Sequence, residues 1–208
     1  MMSIIEAVTL TDYVLVKYGM GELMKSKFLT SVVTQQHESW HRGFIKPFWS
    51  TISYTKLDYK HIPFNNDKDM QKWNRQGYPK EVLAKGGLVD MKSTQPPYAK
   101  DIVKWFEKTY NVKNVGISFF RMKTACMIPT HRDSYVKYRS LFGCKLKDIR
   151  RAIIFCDDWQ PGHVFEIEST PVTNYKKGDF ICWTGATPHM AANIGVTTRY
   201  TIQITGHK

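Results

Sequence analysis

The C-terminal half of the chain alternates short apolar runs with polar and turn-forming residues. From Val112 onward, segments rich in β-branched and aromatic residues are separated by turn signals about every ten residues. The pattern predicts strands at 115–122, 127–131, 151–156, 163–168, 171–175, 179–183, 189–193 and 198–205. Because no helical pattern comes between them, these strands indicate an antiparallel sandwich or jelly roll.

Upstream, two segments have the period of an amphipathic helix. One runs from Asn66 to Gln76, and the other from Pro97 to Tyr110. In the second, apolar residues fall on one stripe at 3.6-residue spacing, which predicts a helix that covers a sheet. The first third shows no internal repeat and no domain linker, so we expect residues 1–208 to form a single, mainly β domain. Its jelly-roll core should span about 112–206, with the N-terminal helices packed against it.

Composition narrows the class of protein. The chain carries 30 Lys and Arg against 18 Asp and Glu, a formal charge of +12, and 42% of its residues are hydrophobic. This apolar content is too high for a disordered chain. The sequence has no apolar run of the roughly 20 residues that a spanning helix needs, and no basic region at its start, so we expect neither membrane association nor export. The four cysteines form no CxxC pair, which fits a reduced cytoplasm.

Basic residues are concentrated between Arg132 and Arg151. Only two acidic residues, Asp133 and Asp148, lie in this stretch. The basic residues are Arg132, Lys137, Arg139, Lys145, Lys147, Arg150 and Arg151. Two interpretations stay open: a solvated loop, or a rim that faces an anionic partner.

Three residues suggest a metal site. His131 and Asp133 are two positions apart, so on a strand both side chains point to the same face. His189 follows a turn at the start of another predicted strand and is well placed to supply a third ligand. An isolated HxD is common without a metal, but two histidines and one carboxylate on one side of an ion match the facial triad of non-haem Fe(II) oxygenases.

A possible carboxylate receptor follows the metal site. Arg199 comes ten positions after His189, and Thr201 lies on the same face of the same predicted strand. An arginine fork beside a hydroxyl can bind a carboxylate through charge-assisted hydrogen bonds. The alternative is a purely structural arginine at the start of a strand.

In this order of motifs the sequence resembles the 2-oxoglutarate- and Fe(II)-dependent dioxygenase superfamily. The resemblance covers roughly 116–206 and includes the turn before Asp179 and the Asn193-Ile194-Gly195 segment. It implies a double-stranded β-helix of jelly-roll type and a 2-oxoglutarate-dependent reaction with O₂. It also implies that His131, Asp133 and His189 are the catalytic Fe(II) ligands, and that Arg199 and Thr201 hold the distal carboxylate of 2-oxoglutarate.

Within the superfamily, the sequence is most similar to two groups of hydroxylases. Prolyl hydroxylases have tyrosines where this chain has Arg121 and Ile128, which is a departure from that group. The segments 128–131, 158–162 and 199–202 resemble aspartyl/asparaginyl β-hydroxylases, although those enzymes often have glycine in place of Asp133. By this resemblance, Arg151 is a further co-substrate-binding residue.

Three functions therefore stay open. The first is a hydroxylase of a C–H bond in a protein, peptide or small-molecule substrate. The second is an oxygenase of nucleic acid, favoured by the positive charge but disfavoured because residues 200–205 contain no arginine. The third is a non-enzymatic, cupin-like metal-binding module, which would not need Arg199 and Thr201.

Overall fold

The computed structural model describes residues 29–61, 67–83, 86–89 and 94–208. The strands in these ranges are β1 Ser31–Gln36, β2 Trp40–Ile45, β3 Lys60–His61, β4 Gly86–Val89, β5 Lys113–Met122, β6 Cys126–His131, β7 Ile149–Phe155, β8 His163–Ile167, β9 Thr170–Pro171, β10 Asp179–Thr184, β11 His189–Asn193 and β12 Arg199–His207. The helices are α1 Thr51–Thr55, α2 Asp67–Arg75, α3 Lys80–Leu83, α4 Ala99–Tyr110 and α5 Val136–Phe142, with a 3-10 turn at Leu146–Asp148.

The strands form two antiparallel sheets. The larger sheet has the order β1-β2-β10-β7-β12-β5-β4-β3, and the smaller sheet has the order β6-β11-β8-β9. From β5 to β12 the chain passes back and forth between the sheets, which is the connectivity of a double-stranded β-helix. The predicted jelly roll is confirmed, and its core spans Lys113–His207.

The predicted strands agree with the observed ones to within two residues at each end, with one exception. The prediction of a strand over 171–175 is wrong, because β9 ends at Pro171. The chain then leaves the sheet edge, and the Tyr175 side chain turns into the interior, where it is 2% exposed. Burial of this aromatic ring, rather than pairing of the backbone, decides the local conformation.

The first half of the chain contains strands as well as the predicted helices. Helix α2 covers Asp67–Arg75 of the predicted Asn66–Gln76 segment, and Asn66 itself lies outside the described residues. Helix α4 begins at Ala99 rather than Pro97, after a turn in which the Ala99 N–H bonds to Pro96. The sequence did not predict β1 to β4, which pair along both edges of the larger sheet and extend it beyond the jelly roll.

Strand alternation divides the larger sheet into two faces. Ile154, Phe180 and Ile202 point outward into a cluster with α4, to which that helix contributes Ile102 and Phe106. Burying an apolar side chain of this size stabilises a fold by about 1.5–3 kcal/mol. The outward face is therefore the main hydrophobic core, and the inward face is left free to carry other groups.

No helix among the described residues is long and apolar enough to cross a membrane. All four cysteines are free, and Cys126, Cys156 and Cys182 are buried. Burial raises the pKa of the Cys182 thiol to about 12. These thiols act as small apolar core residues, as the sequence indicated.

The half-buried His41 should make the stability of the fold depend on pH. Its Nε2 lies 2.8 Å from the Tyr110 hydroxyl. Burial, followed by the charge of Arg150, lowers the pKa of His41 to about 4. Between about pH 6.5 and pH 4 the unfolded chain binds a proton at His41 that the folded chain does not. We therefore expect the free energy of unfolding to decrease by on the order of 2–3 kcal/mol as the pH is lowered through this range. Urea unfolding at pH 7 and pH 4.5 measures this loss.

His41→Gln keeps an acceptor for Tyr110 but does not titrate, so the variant should lose less stability over this interval than the wild type. His37→Gln, a change at a histidine stacked on Trp40, is the matched control. Equal losses in wild type and His41→Gln would contradict the assignment to His41.

Candidate metal centre and adjoining cavity

Two histidines face each other across neighbouring strands of the smaller sheet. His131 at the end of β6 is paired in register with His189 at the start of β11. The Nδ1 atoms lie 2.8 Å from the Pro129 carbonyl and 3.0 Å from the Thr187 carbonyl, respectively. Because a carbonyl only accepts, each Nδ1 carries the hydrogen, and each Nε2 presents a lone pair. This is the arrangement of histidines oriented for metal binding.

Asp133 completes the group. Strand β6 ends at His131, so Asp133 lies in the following loop and not on the strand that the i, i+2 argument assumed. Its Oδ1 is 3.6 Å from the His131 Nε2, and its Oδ2 is 3.8 Å from the His189 Nε2. One ligand atom from each of the three residues lies within 4.8 Å of the others. An ion about 2.1 Å from each atom fits this spacing after small side-chain movements.

Asp133 is held by two further side chains. The Tyr135 hydroxyl donates a hydrogen bond to Oδ2 at 3.0 Å, and Arg151 Nε lies 3.9 Å from the same oxygen. Tyr135 has a left-handed backbone conformation with φ of 50°, which turns the chain back towards Asp133 before α5 begins. A loop carboxylate thereby obtains a defined position.

The charges of the site suit a divalent cation. Although burial opposes ionisation, the adjacent His131 and the charge of Arg151 keep the pKa of Asp133 well below its usual range. Burial, with the charges of His131 and Arg151, lowers the pKa of His189 to about 4. Burial also acts to lower the pKa of His131, but the adjacent, negatively charged Asp133 raises it overall. At neutral pH the group therefore offers a carboxylate and a neutral imidazole, and a metal displaces any proton on His131.

A cavity of about 350 Å³ lies between the two sheets and opens onto these three side chains. This volume is within the range of small-ligand sites, which is roughly 300–1,000 Å³. Its walls are formed by Leu88, Ser118, Phe120, Met122, Ile128, His131, Asp133, Arg151, Ile153, Phe165, Trp183, His189, Ala191, Arg199, Thr201 and Gln203. The structure thus brings all the sequence-predicted site residues to one cavity.

Arg199 is a buried cation in the wall of this cavity. Arg199 is only 5% exposed. Its Nη1 donates a hydrogen bond to the Val164 carbonyl at 2.9 Å, and its guanidinium lies over the rings of Phe155 and Phe165. None of the ion pairs in the described part of the chain involves Arg199. Burial lowers its pKa, and Tyr175 opposes that shift. A buried guanidinium without a counter-ion is the group expected to receive an anion.

Three buried N–H groups around the cavity lack a hydrogen-bond partner within the described structure. They are Arg199 Nε, Arg151 Nε and Trp183 Nε1. Thr201 adds a buried hydroxyl on the same face as Arg199. Since buried donors are nearly always satisfied in folded proteins, this cavity fits a ligand rich in acceptor oxygens.

Arg151 is fixed at the metal end of the cavity. Its Nη1 donates to Thr205 Oγ1 at 2.9 Å, and its Nη2 donates to Gln203 Oε1 at 2.5 Å. Thr205 and Gln203 extend the inward face of β12 that begins with Arg199 and Thr201. The sequence argument considered only the first two of these four inward positions, although the two-residue period of the strand includes them all.

The sequence also missed Trp73, a buried residue of α2 whose ring is edge-on to His131 with centroids 6.0 Å apart. Its sequence signal was an aromatic residue in an otherwise polar helix. The N-terminal region therefore contributes to the surroundings of the candidate metal ligands, which its sequence alone did not indicate.

The basic segment contains a short helix, α5, and borders the site. An open cleft of about 390 Å³ is lined by Asp133, Ser134, Tyr135, Val136, Lys137, Tyr138 and Arg151. Lys137, Arg139, Lys145 and Lys147 are exposed, and none is in an ion pair among the residues described. Unneutralised positive charge thus extends from the surface to the edge of the candidate metal site.

Comparison with known proteins gives remote structural likenesses. No protein-family model and no curated protein matches the chain. A prolyl-4-hydroxylase from Pseudomonas putida is 9% identical, with a TM-score of 0.47 over 66% of this chain and 82% of that chain. An oxidoreductase of the 2OG-Fe(II) oxygenase family from Burkholderia pseudomallei is 10% identical, with a TM-score of 0.48 over 74% and 75%.

The α-ketoglutarate-dependent carbocyclase SnoK is 13% identical, with a TM-score of 0.46 over 77% of this chain and 85% of that chain. Two of these three structures are described as 2-oxoglutarate oxygenases or α-ketoglutarate-dependent enzymes, the superfamily that the sequence resembles. Identities this low, with TM-scores below 0.5, assign neither a family nor an activity. The chemistry of the cavity is the stronger guide to function.

Metal binding to these ligands should stabilise the folded chain. Mn(II), which resists oxidation, should raise the free energy of unfolding by about 2.7 kcal/mol when present at 100 times its Kd. His189→Ala and His131→Ala should each abolish most of this increase, because the two ligands that remain in each variant bind the metal much more weakly than three. Thermal or urea unfolding with and without Mn(II) measures it.

His37→Ala, outside the site, serves as the control and should keep the full increment. A Mn(II)-dependent stabilisation of His189→Ala equal to that of the wild type would remove His189 from the ligand set.

Proposed function

We propose that this chain is a 2-oxoglutarate- and Fe(II)-dependent dioxygenase that hydroxylates a C–H bond, with a protein or peptide side chain as substrate. One observation carries the proposal: the His131, Asp133 and His189 group faces the same cavity as Arg199, which is buried and has no ion-pair partner among the described residues. A metal-binding module alone explains the first part but leaves a buried guanidinium without a function.

The residues fit the iron and the co-substrate in distinct places. His131, Asp133 and His189 would be the metal ligands, with their side chains on one side of the ion so that other positions stay open. Arg199 and Thr201 would hold the distal carboxylate of 2-oxoglutarate. Arg151, whose buried Nε has no hydrogen-bond partner and lies beside Asp133, would contact the anionic end of the co-substrate nearest the metal.

In the proposed reaction, R–H, 2-oxoglutarate and O₂ give R–OH, succinate and CO₂. When bound, Fe(II) supplies the redox chemistry that O₂ requires. The chain contributes orientation: a fork fixed at Arg199 allows the keto acid only one direction in the cavity. Phe155, Phe165 and Ile153 surround the carboxylate receptor with apolar surface, which excludes water and strengthens the charge pair.

The cleft lined by Tyr135, Lys137 and Tyr138 supports a substrate that reaches the site from outside, such as a side chain on a peptide. The cleft is more open to solvent than the cavity, so a segment of a longer chain can reach the site through it. Its cations favour acidic residues in that peptide. The resemblance to aspartyl/asparaginyl and prolyl hydroxylases points to the same class of substrate.

An oxygenase of nucleic acid is the second candidate, favoured by the exposed cations of the basic segment. Three of those four cations are lysines, and only Lys137 and Arg139 lie on α5. The described aromatic residues of the cleft are Tyr135 and Tyr138, and Tyr135 is engaged with Asp133. A stacking platform for successive bases needs a regular series of free aromatic faces, so we favour the peptide substrate.

Arg199→Ala tests the co-substrate assignment. The wild-type protein, incubated aerobically with Fe(II), ascorbate and 2-oxoglutarate, should form succinate even without a substrate. In Arg199→Ala, kcat/KM for 2-oxoglutarate should fall by a factor that corresponds to about 2–5 kcal/mol, because one partner of a buried charge pair is lost. Arg199→Lys should recover only part, since a point charge does not reproduce the fork. An unchanged KM for 2-oxoglutarate in Arg199→Ala would rule out the assignment.

Replacing Lys137, Arg139, Lys145 and Lys147 by Gln separates the two substrate classes. If these side chains contact phosphates, single-stranded oligonucleotide binding should fall with salt with a log-log slope of about −0.7 per phosphate, and the quadruple variant should lose it. We expect instead weak oligonucleotide binding that the variant does not change, together with loss of binding to an Asp- and Glu-rich peptide. Replacing Lys100 and Lys104 by Gln, both exposed on α4, is the control. Submicromolar oligonucleotide binding that the quadruple variant abolishes would favour the nucleic-acid oxygenase.

A further inference from the structure

Two buried polar side chains, Tyr175 and His163, lie near Arg199 on the side away from the cavity and are not part of the candidate metal site. The Tyr175 hydroxyl lies 3.4 Å from His163 Nδ1. It is close enough to the Arg199 guanidinium to oppose the lowering of the Arg199 pKa by burial, and the Tyr175 ring and that guanidinium both contact the Phe155 ring. Tyr175, His163 and Arg199 are 2%, 3% and 5% exposed. Of these three, only Arg199 is among the described residues that line the cavity. Tyr175 and His163 therefore act on a ligand only through Arg199.

The direction of these hydrogen bonds follows from the backbone. His163 Nε2 lies 3.0 Å from the Thr197 carbonyl, which only accepts, so Nε2 carries the hydrogen. Nδ1 then has a lone pair, and the Tyr175 hydroxyl donates its single proton to it. The Tyr175 oxygen then has only lone pairs, and no proton, to present to Arg199. In this network the neutral imidazole determines that Tyr175 presents a negative dipole to the guanidinium.

The position of Tyr175 is also fixed. Its ring stacks on Phe155 with centroids 3.6 Å apart, and its backbone carbonyl accepts a hydrogen bond from the Trp159 N–H at 2.8 Å. Trp159 Nε1 in turn donates to the His163 carbonyl at 2.8 Å. These contacts connect the loop after β9 to the start of β8, close to Tyr175 and His163. The Tyr175 oxygen therefore keeps its position even if the Arg199 guanidinium rotates.

We propose that His163 and Tyr175 are positioning residues, which hold the Arg199 guanidinium in the orientation that receives the distal carboxylate of a five-carbon dicarboxylic keto acid. The identity of that ligand rests on the proposed function; the positioning itself does not. The Val164 carbonyl accepts from one N–H group of the fork, which leaves others, including the Nε without a partner, for a ligand in the cavity. Without Tyr175 the guanidinium would lose the oxygen dipole next to it.

The test is a titration of Mn(II)-loaded protein with 2-oxoglutarate and with 2-oxopentanoate, which lacks the distal carboxylate. Tyr175→Phe keeps the stacked ring and removes the oxygen. We expect its Kd for 2-oxoglutarate to rise by about tenfold, because the guanidinium loses the oxygen dipole that holds its orientation, with little change for 2-oxopentanoate. In turnover with Fe(II), KM for 2-oxoglutarate should rise while kcat at saturation is retained.

Two comparisons distinguish positioning from simple destabilisation. His163→Asn places an acceptor near the former Nδ1 and should restore more affinity than His163→Leu. Tyr59→Phe is the matched control, because it removes a buried hydroxyl that bonds to the Tyr54 carbonyl at 2.8 Å on the outer face of the sheet. It should lower stability without changing the Kd for 2-oxoglutarate. Equal Kd values in Tyr175→Phe and Tyr59→Phe would overturn the proposal.

The state of His163, read from ¹⁵N chemical shifts of its ring, is independent of any ligand. An Nε2–H tautomer whose Nδ1 resonance moves in Tyr175→Phe supports the proposal, and an Nδ1–H tautomer overturns it. If wild-type protein binds neither keto acid, the proposed function fails, and the ring shifts still decide whether His163 and Tyr175 orient Arg199.

Discussion

A guanidinium buried in the middle of a β-sandwich is the group on which the rest of this site depends. Removing a charge from water is expensive unless protein atoms replace the lost hydration. Here a backbone carbonyl, a tyrosine hydroxyl and two aromatic rings replace part of it. They leave one N–H without a partner. This unmatched positive charge is the basis for proposing an anionic ligand at that point.

Strand β12 supplies this group because one of its faces packs in the hydrophobic core and the other faces the cavity. Ile202 and Ile204 point to α4 and belong to the main hydrophobic core. Arg199 and Thr201 point between the sheets, in the cavity. Since the strand lies in the centre of the larger sheet, paired on both sides, its inward side chains are held rigidly. A rigid strand is a better support for a binding group than a loop.

The candidate metal ligands depend on a different kind of order. His131 and His189 are opposite each other because β6 and β11 pair in register, and a one-residue slip would turn one of them away. Asp133 has no strand to position it and relies on Tyr135 and Arg151 instead. Arg151 is itself held by β12 through Gln203 and Thr205. The metal end and the carboxylate end of the cavity are therefore connected through the same central strand.

The sequence by itself determined the jelly roll and the residues of the candidate site, because both can be recognised from local patterns. Strands have a period of two, and turns have a characteristic residue composition. The HxD motif, His189 and Arg199 are recognisable in this order along the chain. Only the tertiary structure decided that the N-terminal third adds strands to the sheet, that Tyr175 is buried and not paired, and that His163 contacts Tyr175. Those features arise from contacts between segments far apart in sequence, where burial and register outweigh the preferences of each segment alone.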